Sequence, residues 1–229
     1  MAQIVCRNLA VGYGNTVVKD NINFNVEKGD YLCIIGENGC GKSTLMKTVL
    51  GLQSALNGEI AFSNDVKKNE IGYLPQQTQL QRDFPASVRE VIMSGFLNHS
   101  ALVPFYTKKQ KDECKKIMQN LKIEGLEKRC YRELSGGQQQ KVLLARALCA
   151  TDKIILLDEP VAALDPTASD EFYKLLSEIN SNGTTVIMIS HDVNKAVNYA
   201  NKILCLNSPY FFGTREEYFE LNRGGEQNA

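Results

Sequence analysis

The sequence lacks several features that would assign the chain to a class at once. Neither charge is in excess, because lysine plus arginine and aspartate plus glutamate both total 26 among 229 residues. A chain without net charge has no general field that attracts a polyanion, which argues against a general DNA- or RNA-binding protein. The chain also has two histidines and no Cys/His cluster with the spacing of zinc ligands, so no transition-metal site is predicted within it.

The cysteines lack the arrangement of a disulfide framework. Seven are present without a Cys-x-x-Cys motif, at positions 6, 33, 40, 114, 130, 149 and 205. An odd number cannot be fully bridged, and several occupy apolar strand or helix patterns. This usage is typical of small buried side chains in a reducing cytosol.

Long apolar runs are absent as well. The first residues lack the apolar core of a signal peptide, and no run approaches the ~20 residues of a membrane span. If the protein acts at a membrane, we expect a partner to supply the crossing. A chain of this length has room for one sizeable α/β domain with a small inserted subdomain.

Residues 36–44 form the strongest motif in the chain. They match the phosphate-loop pattern Gly-x-x-x-x-Gly-Lys-Ser, between an apolar run at 30–35 that predicts a buried strand and a helical pattern at 44–50. The glycines let backbone N–H groups turn inward around an anion at the helix N-terminus. We expect a nucleoside triphosphate here, with Lys42 on its β- and γ-phosphates and Ser43 as a magnesium ligand. The residues expected to bind the nucleotide are Gly36, Glu37, Asn38, Gly39, Cys40, Gly41, Lys42, Ser43 and Thr44.

The remaining patterns predict an α/β fold with one helical insertion. Strands are predicted at 3–11, 16–26, 59–62, 71–76, 153–158 and 184–190, and helices at 88–98, from Thr107, at 135–150 and at 165–180. We therefore expect residues 1–229 to form a single domain. Its α/β core, with an N-terminal antiparallel β-subdomain, would comprise residues 1–82 and 151–229, and an inserted α-helical subdomain would comprise residues 83–150.

An acidic pair and a histidine follow predicted buried strands. Asp158 and Glu159 end the apolar run that starts at 153, and His191 follows the β-branched run 184–190. In a site with a phosphate loop, Asp158 would hold magnesium and Glu159 would polarise the water that attacks the γ-phosphate. The alternative interpretation is that Asp158 and Glu159 are simply two solvated acids at the end of a strand. That interpretation does not explain why the same predicted sheet also carries a phosphate loop.

A second glycine-rich motif lies at Leu134–Gln138. Ser135 and Gln138 have the spacing of a capping box, and Gly136 and Gly137 leave bare N–H groups at the predicted helix start. This predicts a second anion site, with a plain helix N-cap as the alternative. The chain nevertheless shows only one complete nucleotide pocket.

Together these motifs resemble those of the nucleotide-binding subunit of an ATP-binding cassette (ABC) transporter, over nearly all of residues 3–215. The resemblance implies a P-loop NTPase (RecA-like) fold and a role for each matching residue. Glu159, His191, Gln76 and Lys42 would be catalytic, and Ser43, Gln76 and Asp158 would hold Mg²⁺. Tyr13 would stack on adenine, although without the resemblance an ordinary turn tyrosine is the simpler interpretation. Gln76 would also sense the membrane partner. The γ-phosphate bound by the opposite subunit would be contacted by Ser135, Gly136, Gly137 and Gln138.

The resemblance also implies cofactors and partners. These are ATP and Mg²⁺, a second copy of the chain in an ATP-dependent head-to-tail homodimer, an integral membrane permease and, indirectly, an extracytoplasmic substrate-binding protein, without nucleic acid. The chain is then expected in the cytoplasm, peripheral on the inner face of the cell membrane. Residues 71–76, 83–88 and 212–217 resemble importers of zinc, manganese or ferrous iron, which predicts import of a divalent metal ion.

Three other functions share most of these motifs. They are a soluble ABC ATPase without a permease, the ATPase of an exporter or lipid transporter, and a regulatory module that binds nucleotide without hydrolysing it. Glu159 and His191 argue against the last of these. The single cassette argues against ribosome-associated members, which usually carry two.

Two further segments are singled out by their composition. Residues 77–99 offer more apolar side chains than a small subdomain can bury, which predicts a groove for a permease helix. A lysine-rich side follows Thr107 and comprises lysines 108, 109, 111, 115 and 116. Such a run is more typical of a solvated helix face than of a nucleic-acid or lipid patch.

Overall fold

The computed structural model describes residues 2–63, 66–67, 70–76, 83–99 and 105–226, without the side chains of residues 98, 99 and 224–226. Contacts within the chain form two compact units. Unit 1 comprises Met1–Lys68 and Thr185–Ala229, and unit 2 comprises Asn69–Thr184. The finer division expected from the sequence, with a helical subdomain at 83–150, stays a prediction.

The strands and helices alternate along the chain as in an α/β protein. In order they are β1 (Ala2–Tyr13), β2 (Thr16–Glu27), β3 (Tyr31–Ile35), α1 (Lys42–Val49), β4 (Asn57–Phe62), β5 (Ile71–Leu74), α2 (Val88–Met93), α3 (Lys108–Asn120), α4 (Gly136–Ala150), β6 (Ile154–Asp158), α5 (Pro166–Ser181), β7 (Thr185–Ile189), α6 (Val193–Tyr199), β8 (Lys202–Cys205), β9 (Phe211–Thr214) and α7 (Arg215–Glu226). Short 3₁₀ helices occupy Ser94–His99, Glu124–Leu126 and Tyr131–Glu133. Within the described ranges, every helix is too short or too polar to span a bilayer.

Unit 1 contains the antiparallel sheet expected at the N-terminus. β1 lies in the middle of the order β2-β1-β4, and Cys6 faces Phe24 on one side and Ile60 on the other. Apolar residues such as Ile4 and Ile22 are fully buried, because alternate side chains of these strands point to the core. The predicted antiparallel β-subdomain is confirmed.

Unit 1 also contains the parallel strands around the phosphate loop. β3 lies between β7 and β8 and runs parallel to both, with Ile34 opposite Ile189 and Ile35 opposite Cys205. Every residue of β3 and β7 is buried, which explains their nearly continuous apolar sequences. Because the carboxyl ends of parallel strands meet at one edge of a sheet, the segments that follow β3, β7 and β8 lie at the same edge.

Unit 2 combines the parallel pair β5–β6 with the helices α2 to α5. Its core includes the long helix α4, which buries Val142 and Leu144 completely. β5 approaches α4 closely at Gly72, where a Cβ would collide with the carbonyl of Ala147. This close approach explains the glycine inside an otherwise apolar strand.

Capping boxes begin three helices of unit 2. In each box, the side chain of the cap residue accepts a hydrogen bond from the backbone N–H of the residue three positions later. The side chain of that later residue accepts a hydrogen bond from the backbone N–H of the cap residue. The pairs are Ser87–Glu90, Thr107–Gln110 and Ser135–Gln138. The boxes predicted at Thr107 and Ser135 are confirmed. The helix predicted at 88–98 is α-helical only to Met93 and continues as the 3₁₀ helix Ser94–His99, in which Gly95 passes too close to the Arg146 carbonyl for any side chain.

Candidate nucleotide site

The loop between β3 and α1 has the backbone of an anion cradle. Gly36 has φ +151° and Gly41 has φ +102°, a range that other residues rarely adopt. A Cβ at Gly36 would also lie 2.6 Å from Cys40 Sγ, so this position has no room for a side chain. Gly41 is the N-cap of α1, and neither a side-chain cap nor an acidic residue occupies the first turn. The first N–H groups of α1 are therefore left uncapped by side chains, which fits a bound phosphate.

Lys42 is folded back onto this loop. The residue is 5% exposed, and its Nζ donates to the carbonyl oxygens of Gly36 at 2.7 Å and Glu37 at 2.8 Å. These carbonyls compensate an ammonium group that is largely out of water. A triphosphate in the loop would offer the same ammonium charged oxygens, which form stronger hydrogen bonds than carbonyls do.

Asn207, which the sequence analysis missed, holds the start of the loop. Its Oδ1 accepts a hydrogen bond from the Glu37 N–H at 2.8 Å, across 170 positions of the chain. Asn207 follows β8, whose carboxyl end meets that of β3. The sequence signal for this residue is slight, since it is one asparagine just after a short apolar run.

Tyr13 is connected to the phosphate loop through its hydroxyl group. Thr44 Oγ1 donates to Tyr13 Oη at 3.0 Å, and Gln53 donates to the neighbouring carbonyl of Gly12. Tyr13 is nevertheless 56% exposed, which leaves surface on which a base can stack. The expected contact with adenine stays a prediction.

His191 lies at the same sheet edge as the phosphate loop. It comes two residues after β7, and the N–H of Ser190 between them donates to the Ile34 carbonyl at 3.3 Å. Ser190 is buried and His191 is exposed. Tyr13, the loop residues 36–44 and His191 therefore all belong to unit 1.

Unit 2 carries the acidic part of the predicted site. Gln76 Nε2 donates to Glu159 Oε2 at 2.9 Å, across 83 positions of the chain. Glu159 has φ +51°, a strained value for a residue with a side chain, directly after β6 ends. This hydrogen bond uses only the amide nitrogen of Gln76, and the amide oxygen is the atom that would bind a metal.

Asp158 ends β6 in a buried position, with 4% exposure. Burial and, second, the negative charge of Asp158 raise the pKa of Tyr73 on the neighbouring strand to about 12. The oxygen donors proposed for the metal, Ser43, Gln76 and Asp158, are of the hard type that Mg²⁺ prefers. The chemistry of this donor set therefore fits magnesium.

The second glycine motif is an open helix start. Gln138 N donates to Ser135 Oγ at 3.3 Å, and Ser135 N donates to Gln138 Oε1 at 3.1 Å. Ser135 and Gly136 are both exposed. A Cβ at Gly136 would lie 3.8 Å from the Leu164 side chain, so the motif is next to the segment that follows Glu159.

A groove of about 400 Å³ begins beside Gln76. Its lining consists of Pro75, Phe84, Ala86, Glu90, Val91, Ser94, Tyr131, Leu143 and Arg146. Hydrogen bonds from Ser87 lower the pKa of Glu90, and burial lowers that of Arg146. The groove thus combines apolar surface with one acidic side chain, Glu90, and one basic side chain, Arg146. Only part of the predicted segment 77–99 lines it, because Val88 and Phe96 are buried in the core. Residues 77–82 lie outside the described residues.

Comparisons with known proteins identify the family. Residues 19–162 match the family model described as ABC transporter. The chain belongs to the ABC transporter family. It is 36% identical over 218 residues to the manganese transport system ATP-binding protein MntB of Bacillus subtilis (strain 168), an alignment that covers 93% of this chain and 87% of that protein.

Two further relatives agree with this assignment. The zinc import ATP-binding protein ZnuC of Hydrogenovibrio crunogenus (strain DSM 25203 / XCL-2) is 34% identical over 207 residues, which cover 89% of this chain and 78% of that protein. A solved structure of a metal-chelate type ABC transporter in an inward-facing conformation superposes with a TM-score of 0.84 at 32% identity. The superposition covers 95% of this chain and 85% of that chain.

This ABC transporter subunit is an ATP-binding protein and an ATPase. The predicted family, the α/β P-loop NTPase fold and the enzymatic activity are confirmed. Subunits of this kind work with a membrane permease. The roles of individual residues, including Lys42, Gln76, Glu159 and His191, stay predictions.

Proposed function

We propose that this subunit binds ATP with Mg²⁺, dimerises head-to-tail with a second copy and drives a permease that imports a divalent metal ion, zinc or manganese. Support for the cargo comes from the relatives, which act in manganese transport and zinc import and align with at least 89% of this chain. Support for the catalytic part comes chiefly from the hydrogen bond between Gln76 and Glu159.

Glu159 is the proposed general base for hydrolysis. Its carboxylate would accept a proton from the water that attacks the γ-phosphate, a role that requires a fixed orientation. The hydrogen bond from Gln76 at 2.9 Å supplies that restraint. When bound, Mg²⁺ would neutralise charge on the phosphates, with Ser43, Gln76 and Asp158 as its proposed ligands.

The phosphate loop and His191 are proposed to bind the triphosphate. Lys42 would exchange its bonds to the carbonyls of Gly36 and Glu37 for phosphate oxygens. The uncapped N–H groups at the start of α1 would bind the phosphates without moving. His191 would donate a hydrogen bond to the γ-phosphate, and Tyr13 would stack on the adenine.

The exposed start of α4 supports the proposed dimer. Ser135 and Gly136, at the N-terminus of α4, are exposed to solvent. A helix N-terminus favours a negatively charged partner. In a head-to-tail dimer, this N-terminus would meet the γ-phosphate bound by the second copy. Hydrolysis would then remove charge from the interface and weaken it.

The groove beside Gln76 is proposed to receive a cytoplasmic helix of the permease. Phe84 is 56% exposed there, and Val91 and Leu143 add apolar surface. Because Pro75 lines the groove and Gln76 binds Glu159, a helix in the groove can influence the proposed base through two adjacent residues. We therefore propose that the subunit works in the cytoplasm, on the inner face of the membrane, with a substrate-binding protein on the other side.

Reconstitution tests the proposed function. The subunit, its permease and its binding protein would be placed in proteoliposomes that contain a fluorescent zinc or manganese indicator. We expect metal uptake only when ATP is present on the side of the subunit, and no uptake with Glu159→Gln. Outward metal movement, or ATPase activity that ignores the permease, would contradict the proposal.

A further inference from the structure

The outer face of α3 concentrates lysines in a chain of zero net charge. Cys114 and Met118 are buried on the inner face of this helix. The lysines at 108, 109, 115 and 116 are all exposed and lie away from that buried face, together with the exposed acids Asp112 and Glu113. In the described part of the chain, none of these four amines pairs with a carboxylate.

The surrounding segment is also basic. Residues 105–132 contain nine lysines and arginines against four aspartates and glutamates, whereas the whole chain is balanced at 26 of each. One of those four acids, Glu127, is paired with Arg89 at 2.7 Å. The segment therefore carries a local excess of positive charge that a folded core does not need.

An exposed aromatic residue precedes the lysines in the sequence. Phe105, three residues before α3, is 79% exposed, more than any other large apolar side chain that the structure describes. Exposing one aromatic ring in water is unfavourable, and single rings next to lysines are typical of surfaces that enter the interfacial layer of a bilayer. We call Phe105 and lysines 108, 109, 115 and 116 the basic face.

We propose that the basic face binds the surface of an anionic phospholipid bilayer. The lysines are complementary in charge to phosphate headgroups, and Phe105 would insert among them. The inference rests on the proposed function only in that a subunit coupled to a permease works next to a membrane. The binding itself needs no permease, no nucleotide and no residue of the nucleotide site.

A bilayer fits the basic face better than a nucleic acid does. The depression that lysines 108, 109 and 116 line also contains Asp112 and Glu113, but no aromatic ring on which a base could stack. Phe105 offers one ring rather than a row of aromatic platforms. An exposed basic surface with one apolar anchor suits an anionic and partly apolar partner.

Phe105→Trp provides a direct probe, because the chain contains no tryptophan. The full chain would be titrated with two kinds of vesicle. One contains phosphatidylcholine alone, and in the other about 30% of the lipid is anionic phosphatidylglycerol. We expect a blue shift and quenching by brominated lipid with the anionic vesicles only, and loss of both at high salt. Phe219→Trp, on α7, is the matched control and should show neither.

Charge reversal tests the contribution of the lysines. Each lysine near an anionic surface strengthens binding roughly fivefold, so Lys109→Glu with Lys116→Glu should weaken vesicle flotation by more than about 25-fold. Lys28→Glu with Lys174→Glu makes the same charge change at other exposed positions and should have little effect. ATPase activity in solution should be unchanged in both variants.

The outcomes separate this proposal from the proposed function. Equal loss of flotation in the two double variants, or no spectral shift for Phe105→Trp, would overturn membrane binding by the basic face. Tighter binding of the same probe to single-stranded RNA than to anionic vesicles would also overturn it. Each of these three results leaves metal uptake by the reconstituted transporter unaffected, whereas loss of that uptake alone would contradict only the proposed function.

Discussion

At the scale of single residues, four hydrogen bonds hold the phosphate loop in one shape. Lys42 donates to two carbonyls, Asn207 accepts from the Glu37 N–H, and Thr44 donates to Tyr13. The loop is therefore ordered before a nucleotide arrives, and binding requires less new order than in a flexible loop. The first prediction below changes Asn207 in this network, and the second changes the Cys40 thiol within the loop.

Asn207→Ala should raise the KM for ATP with a smaller effect on kcat. The variant removes one hydrogen bond that restrains the loop start, a loss of about 1 kcal/mol or roughly fivefold in affinity. Steady-state ATPase kinetics measure both constants. Asn198→Ala, which removes a surface bond to the Asn194 carbonyl, is the control. An unchanged KM in Asn207→Ala would show that the loop keeps its shape without this side chain.

Cys40 should make the ATPase sensitive to N-ethylmaleimide. It is half-exposed inside the phosphate loop, whereas burial raises the pKa of Cys6 and Cys33 to about 12 and keeps those thiols protonated. Modification of Cys40 would fill the space needed by the phosphates, so MgATP should protect. Cys40→Ser should stay active and resist the reagent. Rapid inactivation of Cys40→Ser would instead point to Cys130 or Cys205, which are also half-exposed.

At the scale of elements, local signals predicted much of the fold. The capping boxes at Thr107 and Ser135 and the buried strands before Gly36 and Glu159 all depend on neighbouring residues, and each is present. The elements α6, β8, β9 and α7 were not predicted. The strands β8 and β9 have only four residues each, too few for a periodic pattern, and they form because β3 offers β8 an edge.

Contacts between distant segments could not be predicted. The bonds from Asn207 to Glu37 and from Gln76 to Glu159 span 170 and 83 positions. They depend on strand pairing that no local pattern encodes. The sequence therefore indicates candidate residues for the chemistry, but it does not indicate which distant residues hold them in place.

Ser135→Arg should abolish ATP turnover without weakening ATP binding by a single chain. The side chain would occupy the exposed helix start that we propose the second copy's γ-phosphate needs. Thr107→Arg is a matched control, because it removes the same kind of capping box from α3, at a similar cost in stability of about 1 kcal/mol. Binding of a fluorescent ATP analogue and hydrolysis would be measured separately. Loss of nucleotide affinity in monomeric Ser135→Arg would place Ser135 in its own chain's pocket.

At the scale of the whole molecule, the proposed cycle requires two copies of the chain. The phosphate loop belongs to unit 1, and the exposed helix start at Ser135 belongs to unit 2. ATP would hold two chains together through this helix start, and Glu159 would end that state by hydrolysis. The central claim is therefore that one carboxylate controls both turnover and the lifetime of the dimer.

Glu159→Gln tests this claim most directly, by size exclusion with light scattering in the presence of MgATP. Glutamine keeps an oxygen that can accept the hydrogen bond from Gln76, so the geometry should survive while the base is lost. We expect hydrolysis to fall at least ~100-fold, and the mass to shift from one chain to two with bound ATP. Hydrolysis at the wild-type rate, or an ATP-loaded variant that stays at the mass of one chain, would contradict the account.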